Sequence, residues 1–145
     1  MFLGEYEHSI DAKGRLIIPA KIRNECNGSV VITRGNDGCL AMYTNEGWTE
    51  YFEKLRRLPK GSKKARDLVR FTTANAGEFE FDKLGRINIP EKLRKQADLK
   101  KECVVVGAGD HAEIWSLDKW NTYYDESEPN YDEIFSELNE EGLDI

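Results

Sequence analysis

The chain has few of the features that membrane proteins, secreted proteins and thiol enzymes require. No apolar run approaches the roughly 18 residues of a membrane-spanning helix. The first residues have neither the basic segment nor the apolar core of a signal peptide. Only three cysteines occur, at positions 26, 39 and 103, and they form no C-x-x-C pair. We therefore expect reduced thiols in a cytosolic protein.

Signals for catalysis or metal binding are also scarce. The two histidines, His8 and His111, are far apart in sequence, and neither has metal-ligand spacing. Residues 107–109 lack the rest of a dinucleotide fingerprint, and no phosphate loop occurs. A cysteine–histidine pair brought together by folding is the alternative that stays open. We expect no enzyme activity, cofactor, metal or small-molecule substrate.

Positive charge is absent from the end of the chain. Residues 125–145 contain nine carboxylates and no Lys or Arg. Because the whole chain has a net charge of −6, residues 1–124 alone carry +3. Between Glu53 and Arg70, eight basic residues stand against two acidic ones. A mildly basic body with an acidic tail is common among nucleic-acid-binding proteins.

The sequence contains an internal repeat. The segment Asp11–Pro19, DAKGRLIIP, recurs 71 positions later as Asp82–Pro90, DKLGRINIP. Arg23 recurs as Arg94 at the same offset. A repeat at a fixed offset indicates that one small unit is duplicated, with Asp-x-x-Gly-Arg as its signature.

This signature predicts a tight turn between two strands. The glycine supplies the positive φ that such turns need. The aspartate can accept hydrogen bonds from backbone N–H groups two or three residues further on. The arginine follows the bend, where its guanidinium either projects outward or folds back on the aspartate. The alternative to a functional role is a solvated turn whose surface ion pair contributes about 0–1 kcal/mol.

Periodicity and turn residues predict two similar units of strand–turn–strand–short helix–strand–turn–strand. In the first unit the strands are 5–10, 15–18, 30–33 and 39–43, with a helix over 19–25. Thr44 and Ser116 are the expected N-caps of the helices that follow the two units. Because a unit of about 45 residues is too small for a stable core of its own, we expect both to share one barrel-like β core about a pseudo-twofold axis.

The predicted domains are 5–47, a basic helical linker over 48–75, a second domain over 76–119, and a terminal helix with the acidic tail over 120–145. The linker contains a helix reaching residue 58 and a second over 62–74. In the tail, Tyr131, Ile134, Phe135 and Leu138 have helical spacing. Part of the tail is therefore expected to form a docked or a transient helix.

The duplicated turn, the start Met-Phe-x-Gly-Glu-Tyr and the Gly-x-x-x-x-x-Glu-Ile-Trp segment ending at Trp115 resemble the MraZ family of bacterial transcriptional regulators. The resemblance covers residues 1–124. It implies a mixed β/α fold of two SpoVT-AbrB domains: a duplicated swapped-hairpin β-barrel with peripheral helices. It also implies a ring-shaped homo-oligomer, nucleoid-associated in the cytoplasm. The expected target is repeated DNA sites upstream of its own operon, in the division and cell-wall gene cluster.

The resemblance assigns contact with double-stranded DNA to the two turns, namely Arg15, Arg86, Gly14 and Gly85, with Asp11 and Asp82 as turn-forming partners. Arginine suits base readout because its fork matches guanine O6 and N7. Expected phosphate contacts are Lys13, Lys21, Arg23, Lys92 and Arg94, with a solvated face as the alternative for each. Leu84 replaces Lys13 in the second copy, so Arg86 either contacts DNA less or meets a neighbouring subunit.

An antitoxin-like interaction module is the alternative function, because AbrB-type folds also serve in such modules. In that case the acidic tail would fold onto a protein partner. In a DNA-binding protein the tail would either compete with DNA for the basic turns and linker, or dock on the barrel or on a neighbouring subunit.

Overall fold

The computed structural model describes residues 1–145, which form eight strands and six α-helices. The first half contributes β1 (Glu5–Ser9), β2 (Arg15–Ile17), β3 (Ser29–Arg34) and β4 (Leu40–Tyr43). The second half contributes β5 (Gly77–Glu80), β6 (Arg86–Asn88), β7 (Glu102–Gly107) and β8 (Ala112–Ser116). A six-stranded sheet has the order β1-β7-β8-β4-β3-β5, and β2 and β6 form a separate two-stranded ribbon. All strand pairs are antiparallel.

The two halves exchange strands. β1 pairs with β7 of the second half, and β5 pairs with β3 of the first. At the centre of the sheet, β4 pairs with β8, with Ala41 opposite Glu113. The hairpin β3–β4 lies entirely in the first half, and the hairpin β7–β8 lies entirely in the second. Neither duplicated unit therefore has a complete sheet of its own.

The helices are α1 (Ala20–Arg23), α2 (Asn45–Arg56), α3 (Lys63–Ala74), α4 (Glu91–Gln96), α5 (Leu117–Ser127) and α6 (Tyr131–Glu140). Both predicted N-caps are confirmed: Thr44 Oγ1 accepts the Gly47 N–H at 2.9 Å, and Ser116 Oγ accepts the Lys119 N–H at 3.5 Å. α2 ends at Arg56, earlier than predicted, because the Leu58 N–H bonds to the Leu55 carbonyl in a closing turn. No helix has both the length and the apolar character that crossing a membrane would require.

One core of 18 buried residues is divided evenly between the two halves. Leu16 of β2 and Ile87 of β6 face each other across the ribbon, and both are fully buried. The ribbon therefore packs its inner face on the core that the six-stranded sheet also lines. The predicted shared core is confirmed. It lies between two separate sheets, however, and not inside one continuous barrel.

The acidic tail is helical over most of its length. α5 continues past position 125 to Ser127, and a 3-10 turn over 128–130 leads into α6. The four apolar residues with helical spacing all fall in α6, none of whose residues is buried.

Candidate nucleic-acid interface

Asp11 closes the first turn. Its Oδ1 accepts the N–H of Lys13 at 3.0 Å and the N–H of Arg15 at 2.9 Å. Its Oδ2 accepts Arg15 Nε at 2.7 Å. Of the two orientations that the sequence left open, Arg15 therefore adopts the one that folds back on the aspartate.

The second turn repeats this geometry. Asp82 Oδ1 accepts the N–H groups of Leu84 and Arg86, each at 2.9 Å, and Oδ2 accepts Arg86 Nε at 2.7 Å. In both turns the pKa of the aspartate is lowered, first of all because the backbone N–H of the arginine donates to it. The carboxylates therefore stay anionic and hold each arginine through Nε. Its two terminal nitrogens make no hydrogen bond within the chain.

Both arginines lie on the outer face of the β2–β6 ribbon. In the antiparallel register Arg15 is opposite Asn88, and Ile17 is opposite Arg86. Because side chains alternate along a strand, these four residues share one face while Leu16 and Ile87 point inward. Arg15 and Arg86 are thus diagonal neighbours on a single surface. The ribbon brings together two residues that are far apart in sequence.

The turn glycines are required for two reasons. Gly14 has φ +85° and Gly85 has φ +76°, in the left-handed region. A Cβ on Gly14 would also lie 2.7 Å from the Ile89 carbonyl oxygen and 2.9 Å from Arg94 Nε. A Cβ on Gly85 would overlap the guanidinium of Arg23.

Arg23 and Arg94 support the turns. Arg23 donates to the Ile18 carbonyl, and Arg94 Nε donates to the Ile89 carbonyl at 3.0 Å. Each guanidinium lies against the glycine of the opposite turn. This positioning role was missed from the sequence, although the recurrence of Arg23 as Arg94 was its signal. Phosphate contact by Arg23 or Arg94 stays a prediction.

Each turn carries one exposed lysine. Lys13 is exposed in the first turn, and Lys83 is exposed in the second, one position earlier relative to the signature. The sequence comparison of Leu84 with Lys13 overlooked Lys83. Because Lys83 is exposed, the second turn is also cationic. Lys21 on α1 and Lys92 on α4 are exposed as well, and neither forms an ion pair within the chain.

No histidine is hydrogen-bonded to a cysteine thiol: His8 lies opposite Cys103 in the β1–β7 pairing, but the Cys103 thiol donates to the Lys101 carbonyl. Burial raises the thiol pKa of Cys39 to about 12, and that of Cys26 and of Cys103 to about 11. His111 instead bonds through Nδ1 to Asp110 at 2.6 Å and through Nε2 to Glu113 at 3.3 Å. No group of three or more His, Cys, Asp or Glu side chains is placed to hold a metal ion.

Comparison with known proteins identifies the family. The sequence model described as "MraZ protein, putative antitoxin-like" matches the chain twice, over residues 1–71 and over residues 73–142. The chain belongs to the MraZ family. A protein of Ligilactobacillus salivarius named "Transcriptional regulator MraZ" is 55% identical over 134 residues, covering 92% of this chain and 94% of the relative. A protein of the same name from Pediococcus pentosaceus is 49% identical over 143 residues, covering 99% and 100%.

The MraZ match also settles two sequence-based interpretations. One match falls on each half, which confirms the duplication. The resemblance seen in the sequence stopped at residue 124, and that limit was wrong, because the second match continues to residue 142. The acidic helix α6 therefore lies inside the MraZ repeat unit.

Proposed function

We propose that this MraZ-family protein is a sequence-specific, DNA-binding transcriptional regulator of the bacterial division and cell-wall gene cluster. The observation that carries the proposal is the pair of aspartate-held arginines, Arg15 and Arg86, on one face of the β2–β6 ribbon. Both relatives are named transcriptional regulators, which supports the same class.

A two-stranded β-ribbon has the right width for the DNA major groove. With Nε held by the aspartate, each arginine keeps two terminal nitrogens that can donate to guanine O6 and N7. Such a bidentate contact favours guanine over the other bases by about 1–3 kcal/mol. The turn glycines contribute by shaping the turns, because both are buried against the arginine of the opposite half. Preorganisation of the fork by Asp11 and Asp82 lowers the entropic cost of binding.

Phosphate contacts would surround this face and set its orientation on the duplex. We assign them to exposed cations near the turns: Lys13, Lys21, Lys83 and Lys92, together with Arg23 and Arg94 where a terminal nitrogen stays free. Residues 1–124 have a net charge of only +3, so a single copy of the chain would bind DNA weakly. A ring-like homo-oligomer on repeated sites upstream of its own operon would gain avidity without further contacts.

The proposed architecture is two AbrB-type swapped-hairpin domains, 5–47 and 76–119, with a basic linker over 48–75 and a terminal region over 120–145. The exchange of β1 and β5 between the halves supports this assignment. The proposed location is the nucleoid in the cytoplasm. The proposed DNA-binding function requires no cofactor and no small-molecule substrate.

The test is a footprint of the protein on the DNA upstream of its own gene. We expect protection of short sites in direct repetition, with loss of protection when the guanines of those sites are replaced. A scrambled fragment of equal length and composition is the control. Equal affinity for both fragments at physiological salt would overturn sequence-specific binding.

An antitoxin-like interaction module is the second candidate. The family description contains that term, and the acidic helix α6 exposes its apolar side chains. Copurification of a different protein in a fixed stoichiometry would favour this candidate over DNA regulation.

A further inference from the structure

The acidic helix α6 has no partner within the chain. Its substantial contacts are with the 3-10 turn that precedes it. Tyr131 is 66% exposed, Ile134 46% and Phe135 44%. Together with Leu138 these residues form the α6 stripe, spaced i, i+3, i+4 and i+7 on one face of the helix. Such a stripe normally packs against another apolar surface.

The remaining surface of α6 is strongly acidic. The helix carries Asp132, Glu133, Glu137 and Glu140 and no basic residue. None of the nine carboxylates between residues 125 and 145 forms an ion pair within the chain. The α6 stripe is thus flanked by unpaired negative charge.

A groove of complementary character lies between α2 and α3. Its volume is about 330 Å³, and apolar side chains form its floor: Phe52, Leu55, Leu58, Ala65 and Val69. Four cations stand at its rim, namely Arg56, Lys60, Arg66 and Arg70. Arg56 pairs with Glu53 and Arg70 with Asp67, whereas Lys60 and Arg66 pair with no carboxylate. The rim is therefore net positive.

The repeat places α3 and α6 at corresponding positions, but only α3 is docked on the sheet. In the first half, α3 follows α2 and packs on the sheet, where Thr33 Oγ1 donates to the Thr72 carbonyl at 2.6 Å. In the second half, α6 follows α5 but does not fold back. α5 is fixed at its start by Trp120, which packs on Trp115 and donates to Glu5 at 2.8 Å. α6 therefore projects as an amphipathic helix on an anchored arm.

We propose that α6 of one chain docks in the α2–α3 groove of a second copy of the same chain. The apolar stripe would fill the apolar floor, and the carboxylates would meet Lys60 and Arg66, as in helix-in-groove recognition. Each chain offers one helix and one groove on different parts of its surface. Such a contact is heterologous, and it closes into a ring if the rotation between copies permits.

This inference rests on the homo-oligomer in the proposed function, and it does not depend on DNA binding. The test uses two variants, Ala65→Cys in the groove and Ile134→Cys on α6, mixed in urea, refolded together so that mixed oligomers form, and then mildly oxidised. The native thiols are poor competitors because burial raises their pKa to about 11 or 12. A disulfide joining the two variants can form only between copies.

We expect a disulfide-linked dimer in this mixture. Mixing Ile134→Cys with Lys100→Cys, an exposed position outside the groove, should give none. A native mass measurement on the unmodified protein accompanies both mixtures. An oligomer without the Ala65–Ile134 crosslink would overturn the docking but keep the oligomer. A monomer would overturn both. A further variant that carries both Ala65→Cys and Ile134→Cys tests the other occupant: a crosslink within that chain, with none between the mixed variants, would mean that α6 fills the groove of its own chain and would overturn the proposal.

Charge reversal gives an independent readout. Lys60→Glu with Arg66→Glu, or Glu133→Lys with Glu137→Lys, should each shift the mass toward the monomer. Combining all four substitutions in one chain should restore the oligomer, because opposite charges again face each other. Failure of the combined variant to recover, with its circular dichroism unchanged, would count against the docking.

Discussion

The guanidinium of Arg23 lies against Gly85, the turn glycine of the other half of the chain. Arg94 lies in the same way against Gly14. The backbone joins the turns as well, because the Ile18 N–H bonds to the Gly85 carbonyl at 3.0 Å and the Ile89 N–H bonds to the Gly14 carbonyl at 2.8 Å. Each half therefore shapes the turn of the other, and neither turn is complete in one unit.

This mutual support makes Gly85→Ala strongly destabilising. The left-handed conformation costs about 1–2 kcal/mol for alanine, and the overlap with Arg23 adds about 1–3 kcal/mol. Gly28→Ala is the matched control, because Gly28 has φ +80° but open space around its Cβ position. Urea unfolding should show the larger loss of unfolding free energy for Gly85→Ala. Equal losses would contradict the crowding by Arg23.

The repeat, the turns and the helix caps could be predicted because each depends on residues close in sequence. Asp11, Gly14 and Arg15 specify their turn locally, and Thr44 and Ser116 cap helices a few residues away. The pairing of β1 with β7 could not be predicted, since the alternation in residues 5–9 is the same whichever strand lies beside it. The support of Gly85 by Arg23 was hidden for the same reason. It depends on a contact between the two halves.

Arg15→Ala and Arg86→Ala should lower specific DNA affinity by similar factors. The two turns have matching distances, and Lys83 supplies the cation that Leu84 lacks. Losing one bidentate contact costs about 1–3 kcal/mol per site, which grows when several subunits bind together. Titrations by electrophoretic shift measure the loss, with Lys100→Ala, an exposed position outside both turns, as the control.

Circular dichroism should be unchanged in both variants, because the main-chain hydrogen bonds to each aspartate persist. A loss confined to Arg15→Ala, with a change of particle mass in Arg86→Ala, would revive the view that the second turn meets a neighbouring subunit.

Stability should depend on the charge of His111. Its pKa is raised, first because it hydrogen-bonds Glu113 and further because it bonds Asp110. A raised folded-state pKa gives a stabilisation that is complete below the unfolded-state pKa of about 6.5 and is lost as pH rises through the folded-state value. Unfolding free energies from about pH 5.5 to pH 8.5 should therefore decline more for the natural chain than for His111→Gln. Parallel profiles would show that the histidine charge does not contribute.

Ending the chain after Asn130 removes α6 and keeps α5 intact. If α6 holds neighbouring copies together, sedimentation should show a smaller particle. Affinity for DNA with repeated sites should then fall through lost avidity, while affinity for a single site is retained.

The matched control keeps α6 and its apolar stripe but replaces Asp132, Glu133 and Glu137 by amides. It separates the charge of the tail from its packing. A particle of unchanged mass that binds DNA more tightly, with a steeper dependence on salt, would mean that the tail competes with DNA for the basic turns and linker.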